Sequence, residues 1–453
     1  MPHRNLLLLF ATFVVSFACY VRAEQNPYAR YVAAGYSFID RLALQEPSDQ
    51  KLYEGAMRGM IDVLRNSGDE HSAFVDEKQR DEFREGLTQQ FGGVGVRIRR
   101  LGDPKLPTIV GPPKANSPAA QADLRSGDRV TEIDLQSTDQ MSMADVLKLM
   151  RGPVGTNLKL TIRRSEVEDP MRMQLQRATI VVESIWGDLR HDDDTWQFRL
   201  DQDPRLAYIR ITTFGDKTVA ELTRVLAELT SKDSNQSISG LILDVRDNAG
   251  GALDAAVDIS DLFLRAGQTI VTTRGRDKEI RDRFVSTGDG GYTRLPLVVL
   301  TNQNSASASE IVAACLQDYG RALIVGQRSY GKGTVQRLER MESGRSLLKL
   351  TSATYWRPSE QNIHRMPGDG DSETWGVTPN PGFAVKQDEE AYLQWRRYRS
   401  RRDLLGLEPD SILAEQLDAE DGPIPTDYVD QSLQRAIEHL QLQLTKVSES
   451  FSL

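Results

Sequence analysis

Two polar residues 25 positions apart, Ser307 and Lys332, could do covalent chemistry together. Ser307 stands in Asn302-Gln-Asn-Ser-Ala-Ser-Ala-Ser-Glu310, and Lys332 in Tyr330-Gly-Lys-Gly-Thr-Val-Gln336. A serine hydroxyl is a weak nucleophile until a base takes its proton. Lysine serves as that base only when neutral, and burial disfavours its ammonium more readily than it does a guanidinium. A paired serine and lysine would therefore support acyl transfer through a covalent intermediate.

The flanking sequence shows how such a serine would be placed. Leu295–Leu300 is a short apolar run with the branching of a buried strand, and Ile311–Leu316 continues as a helix of mostly small residues. Ser307 then sits at a strand-to-helix turn, where free amides and the helix dipole favour developing negative charge. The Ala308 amide is one such donor. The same residues also spell a capping box, Ser307-x-x-Glu310, which on this fragment alone is the commoner use. Ser305 and Ser309 are rivals for either role.

The lysine needs its own frame. Leu323–Val325 reads as a strand, Gly326–Gly331 as a turn and Gly333–Gln336 as a second strand. On a strand Lys332, Thr334 and Gln336 share one face. Gln336 could hold the amine there without adding charge. A solvated lysine in a glycine-rich turn is the plain alternative. A third unit lies upstream. Ile238–Leu243 reads as a buried strand, Asp244–Gly251 as a loop and Ala252–Leu264 as a helix. This loop lacks the phosphate-loop and dinucleotide fingerprints. It could offer backbone N–H groups to an oxyanion, or be an ordinary tight turn.

Taken jointly, Asp244–Gly251, Asn304–Glu310 and Gly326–Gln336 resemble the carboxyl-terminal processing proteases, the tail-specific S41-type serine peptidases with a Ser–Lys dyad. The order, spacing and flanking strands are similar to the family patterns D-L-R-x-N-x-G-G, G-S-A-S-A-S-E and G-x-x-S/T-F/Y-G-K-G-x-x-Q. The resemblance implies Ser307 as nucleophile, Lys332 as general base and Gln336 as the residue that orients the lysine. It implies an oxyanion hole from Ala308 and one of Gly250 or Gly251. Asp318 matches an acidic position of structural role. Asn304 departs from the usual glycine, and Asp247 and Ala249 vary the glycine loop.

The resemblance extends upstream. Leu52–Leu64 is similar to the helix before the family's PDZ domain, and His71-Ser-Ala-Phe74 to a related H-S motif. Phe91–Ile98 resembles the PDZ loop and first strand, and Ser117–Ile133 is the most specific PDZ stretch. Gly92, Gly93, Val94, Gly95 and Val96 would then form the carboxylate-binding loop. PDZ domains add a peptide strand and capture its C-terminal carboxylate with loop amides. Protein substrates with apolar free C-termini are the implied partners.

Composition agrees with a multidomain enzyme. The 453 residues, 39% hydrophobic and 27% charged, can bury ordinary cores. Residues 1–23 read as a signal peptide: His3-Arg4, the 16-residue apolar run Leu6–Val21, then Val21-Arg22-Ala23. The run is short for a membrane span of roughly 20 residues. The expected location is exported, periplasmic or extracellular, with membrane association through an uncleaved N-terminus as the alternative. Cys19 lacks a lipobox, because Ser16 stands where leucine belongs. Loss of Arg4 and Arg22 would move the formal charge from −9 to −11, an acidic balance that argues against nucleic acid as a partner. Cys315 is then the one cysteine left and reads as a small apolar residue. His71, His191, His364 and His439 lack metal spacing, so no metal and no cofactor is expected.

The fold class implied is α/β: a crotonase/ClpP-like spiral of ββα units with an inserted PDZ domain and helical N- and C-terminal segments. The divisions are 24–88 helical, 89–180 PDZ with a hairpin turn near Arg164–Pro170, 181–385 the serine peptidase core, and 386–453 helical. Leu433, Ala436, Ile437 and Leu440 form an apolar helix face that could pack on the core or on a second subunit, giving a homodimer. Three functions fit: an exported serine endopeptidase, a non-catalytic PDZ scaffold with a peptidase-like core, and a crotonase-like acyl-thioester enzyme. Intact Ser307, Lys332 and Gln336 oppose the second, and the export signal and PDZ stretch oppose the third.

Overall fold

The computed structural model describes residues 13–14, 27–231, 237–366, 368–370, 374–404 and 412–450. The signal-peptide reading and Cys19 thus fall almost wholly outside the described residues. Two compact units form, one from residues 1–80 with 336–351 and one from 81–335 with 352–453.

In the first unit, the helices Pro27–Leu42 and Asp49–Asn66 precede a short strand, Ala73–Val75. That strand runs antiparallel to Ser346–Trp356, pairing Phe74 with Leu348. Met57 and Ile61, one helical turn apart, pack with Phe74 in a small core.

The second unit is built on a sheet whose strands Asp203–Ile211, Gly240–Asp244, Leu297–Thr301 and Leu323–Gly326 lie side by side, all parallel. Parallel strands covered on both faces read as continuous apolar runs, as Leu241-Ile242-Leu243 and Leu297–Leu300 do. Alternation divides them between two cores. Leu241, Leu243 and Val299 face the helices Thr218–Thr230, Leu253–Asp261 and Ala308–Asp318. Ile242, Val298 and Leu300 face the helix Gln431–Ser450 through Leu433, Ala436, Ile437 and Leu440. The C-terminal apolar face therefore packs on the chain's own sheet.

Residues 98–176 carry a second, antiparallel sheet around Val130, Ile133, Leu158, Leu160 and Ile162. Asn157–Arg163 pairs with Met171–Gln176, so the charged segment at 164–170 is the expected hairpin turn. Ser117 caps the short helix Pro118–Gln121, its side chain accepting the Ala120 N–H at 3.3 Å. Among the described residues no helix is long and apolar enough to cross a membrane.

Candidate active site

After the strand Leu297–Thr301 the chain turns through Asn302–Ser307 and enters the helix Ala308–Asp318. Ser307 is the residue before the helix, with φ 56° and ψ −114°. A side chain with a Cβ is strained there by about 1–3 kcal/mol. Glu310 holds the turn: its Oε2 accepts the Ser307 N–H at 2.8 Å. The Glu310 N–H bonds the Ser307 carbonyl at 2.9 Å, and Ser307 and Glu310 form the capping box that the sequence spells. The backbone carbonyl of Ser307 shares the Glu310 N–H, so the cap does not rest on Oγ alone.

The rival serines are committed. Ser305 Oγ donates to the Val245 carbonyl at 2.8 Å, and Ser309 Oγ to the Asn248 carbonyl at 2.9 Å. Both are fully buried, whereas Ser307 keeps 8% exposure.

The same glutamate reaches the lysine segment. Oε2 accepts the Lys332 N–H at 2.8 Å, and Oε1 accepts the Gly331 N–H at 2.7 Å and the Ser329 hydroxyl at 2.6 Å. Burial pushes the Glu310 carboxyl up to about 7, against these hydrogen bonds, which favour its ionised form. The sequence offered Glu310 only as half of a capping box. Its grip on residues 329–332 is a tertiary contact without a local signal.

Lys332 itself precedes the strand, which begins at Thr334. The expectation that Lys332 shares a strand face with Thr334 and Gln336 is corrected accordingly. The reason is that Glu310 takes the amides of Gly331 and Lys332. Gly333 also lies so close to His364 that a Cβ there would meet the His364 nitrogen at 2.2 Å. His364 Nδ1 stands 3.3 Å from the Gly331 carbonyl, a placement without a local sequence signal. Gln336 lies on the strand Thr334–Met341, its Nε2 3.5 Å from Thr351 Oγ1. Thr351 Oγ1 donates to Asp69 at 2.8 Å, and its N–H donates to Ser72 Oγ at 2.9 Å. Burial raises the Asp69 carboxyl, but bonds from Ser72, Thr351 and the His71 amide outweigh it and hold the group below its ordinary range. The H-S segment thus belongs to the Gln336 strand's network, and Asp69 is a member the sequence did not suggest.

The glycine loop lies directly against the serine turn. A Cβ on Gly250 would come within 2.7 Å of Ser307 Cβ and 2.9 Å of the Ala308 nitrogen, so no larger residue fits. The Gly250 N–H is taken by Asn248 Oδ1 at 2.8 Å. The amides of Gly251 and Ala308 donate to no described group. Asn304, at the usual glycine position, donates to Asp247 Oδ1 at 2.9 Å and to the Tyr392 hydroxyl at 2.8 Å. Asp247 takes a positive φ of 55°, so the two departures from the family pattern support each other.

Elsewhere, Asp318 is engaged by Arg357, with Nη2 at 2.6 Å. Cys315 is fully buried and its thiol is pushed up to about 12 by that burial, which removes it as a nucleophile. Among the described residues no histidine, cysteine and carboxylate group could hold a metal. In the second sheet's approach, Gly92 and Gly93 pair with Thr179 and Ala178. The amides of Val94, Gly95 and Val96 donate to no described group. Gly95, at φ 87°, abuts Ser117.

Comparison with known proteins agrees with this layout. Residues 205–380 match the model of peptidase family S41, and residues 109–164 match that of the PDZ domain. The chain is 34% identical over 361 residues to a carboxy-terminal-processing protease of Bartonella bacilliformis, covering 79% of this chain and 76% of that one. It is 32% identical over 327 residues to the carboxy-terminal processing protease CtpA of Bacillus subtilis, covering 71% and 63%. A solved photosystem II D1 C-terminal processing protease aligns with 85% of this chain and 98% of its own, at 24% identity and a TM-score of 0.43, a likeness too loose to build on. With its serine turn, glycine loop and PDZ segment in the matched regions, the chain belongs to the carboxy-terminal processing proteases, serine peptidases of family S41.

Proposed function

We propose that this protein is an exported endopeptidase that recognises C-terminal tails through its PDZ domain and cleaves by a Ser307–Lys332 dyad. The observation that carries the reading is the Glu310 carboxylate, which accepts amides from both Ser307 and Lys332 at 2.8 Å. A pair that must exchange a proton is thereby held in one frame.

In the proposed reaction neutral Lys332 Nζ takes the Ser307 proton as Oγ attacks the scissile carbonyl carbon. The C=O electrons move onto oxygen, and the amides of Ala308 and Gly251 receive the oxyanion. Gly251 is the better second donor because the Gly250 amide is occupied. Collapse breaks the C–N bond, and the Lys332 ammonium returns its proton to the leaving amine. Water, deprotonated by Lys332, then attacks the acyl carbon, and the ester C–O bond breaks as the lysine proton returns to Ser307 Oγ. Gln336 orients the lysine in this scheme. The loop Gly92–Val96 takes the tail carboxylate on the amides of Val94–Val96.

The finer fold reading is the crotonase/ClpP-like spiral, supported by the parallel strands with interleaved helices. Export to the periplasm or the exterior, with an uncleaved anchor as the alternative, rests on the N-terminal apolar run and is tested by sequencing the mature N-terminus. The helix face that had suggested a homodimer is buried in its own chain, so a dimer would need another surface, which sedimentation decides. The catalytic reading is tested by Ser307→Ala and Lys332→Ala, each of which should abolish peptide cleavage with the fold retained. Cleavage surviving both would overturn it.

A further inference from the structure

A cavity of about 330 Å³ lies beside the glycine loop, between Arg97, Arg210 and Arg396, with Trp186 and Trp395 in its walls. That is the size of a small-ligand site. Five arginines and two aspartates line it. Both aspartates are already engaged. Asp403 is bonded by Arg210 and Arg399, and Asp247 by Asn302, Asn304 and Tyr392. Arg246 is neutralised by Asp244 and Asp430, and Arg399 by Asp188 and Asp403.

Donors are left over. Arg97 Nη1 and Arg210 Nε are buried and find no partner among the described residues. Arg210 is 8% exposed, and both guanidiniums pack on Trp186, at 5.8 Å and 4.9 Å from its ring centre. Buried guanidinium N–H groups without acceptors are costly, and their fork matches a carboxylate. Burial lowers the Arg97 guanidinium from its ordinary value, offset in part by the charges of Asp403 and Glu183. The cavity therefore holds two buried guanidinium donors, Arg97 Nη1 and Arg210 Nε, without an acceptor among the described residues.

The neighbourhood indicates which anion. Arg97 also lines a second cavity of about 170 Å³, shared with Gly95, Val96 and Ile180. Gly95 and Val96 thus line a cavity that shares Arg97 and Trp186 with the arginine cavity. We propose that Arg97, with Arg210 behind it, binds a carboxylate of a peptide in this cavity, so that substrate charge is read by guanidinium as well as by loop amides. This inference rests on the peptidase reading for the identity of the ligand as a peptide.

The test uses the full chain carrying Ser307→Ala, so that no probe is cleaved, and titration calorimetry. Three matched apolar peptides serve as probes: one with a free C-terminus, one amidated, and one amidated with a single internal aspartate. Adding Arg97→Gln should weaken the free-carboxylate peptide about tenfold or more and leave the amidated one unchanged. Arg97→Lys should recover part of the loss, since charge returns without the fork. Dependence on Arg97 for the aspartate peptide instead would assign the carboxylate to a side chain and still support the site. An unchanged preference in both Arg97→Gln and Arg396→Gln would overturn it. Failure of the unmodified chain to cleave any peptide would sink the peptidase reading while leaving this binding measurement interpretable.

Discussion

Glu310 accepts the Lys332 N–H at 2.8 Å from 22 residues away in the chain. Through the other bond of the same oxygen, the lysine loop and the strained serine turn are fixed to one buried carboxylate. Glu310→Gln keeps the shape but replaces one acceptor oxygen by a donor facing donors. We expect kcat to fall about 100-fold with KM little changed, the scale of a small misplacement of reacting groups. Glu310→Ala should in addition destabilise the fold by about 1–3 kcal/mol for each amide left buried and unpaired. Steady-state kinetics beside thermal unfolding separate the two effects. Undiminished kcat in Glu310→Gln would show that the clamp is incidental.

Glu310 also predicts a pH dependence of stability. Its carboxyl is raised from an ordinary 4.5 to about 7, so the folded chain holds a proton that the unfolded chain releases between those values. The stability linked to this group is full below about 4.5 and lost as pH rises through about 7. The loss amounts to about 3 kcal/mol. Urea unfolding of the parent and Glu310→Gln should therefore converge or cross with pH, the parent losing more. Parallel curves would mean that the carboxyl is ionised throughout.

Ser307 sits at φ 56°, a conformation glycine adopts freely. Ser307→Gly should be more stable than Ser307→Ala by about 1–3 kcal/mol, although both are inactive. Denaturant midpoints of the two variants measure this. Equal stability would indicate that the turn relaxes once the hydroxyl is gone.

Gly251 has no room for a side chain, since a Cβ would meet the Phe214 carbonyl oxygen at 2.1 Å. Gly251→Ala must displace the amide proposed for the oxyanion. We expect kcat to fall about 100-fold or more, the effect of losing one such donor, with acylation slowed before deacylation. Pre-steady-state kinetics with an ester substrate resolves the steps, and a loss confined to KM would place Gly251 in binding instead.

The parts legible in the sequence were those with local chemistry. The strands at 240–244 and 297–301 are runs of Leu, Ile and Val because both faces are covered. The Ser307 turn was marked by an apolar run, small residues and a helix start. The hairpin at 164–170 was marked by its charge. Other features depend on contacts across the fold. The spacing of Lys332, Thr334 and Gln336 reads as one strand face, yet the strand begins at Thr334 and the Lys332 amide bonds Glu310. Ser305 and Ser309 could not be separated from Ser307 until their hydroxyls met the Val245 and Asn248 carbonyls. The same holds for Gly250 and Gly251, which only the side chain of Asn248 distinguishes. Asp69, His364 and the arginine cavity carry no motif, because their partners come from distant segments.

The most direct test of the central claim is mass spectrometry of the acyl-enzyme trapped with a serine-reactive ester or phosphonate, followed by peptide mapping. One adduct, on Ser307, is expected in the unmodified chain, and none at matched exposure in Lys332→Ala. An adduct on Ser305 or Ser309, or Ser307 labelling that survives Lys332→Ala but is lost in His364→Ala, would contradict the Ser–Lys mechanism.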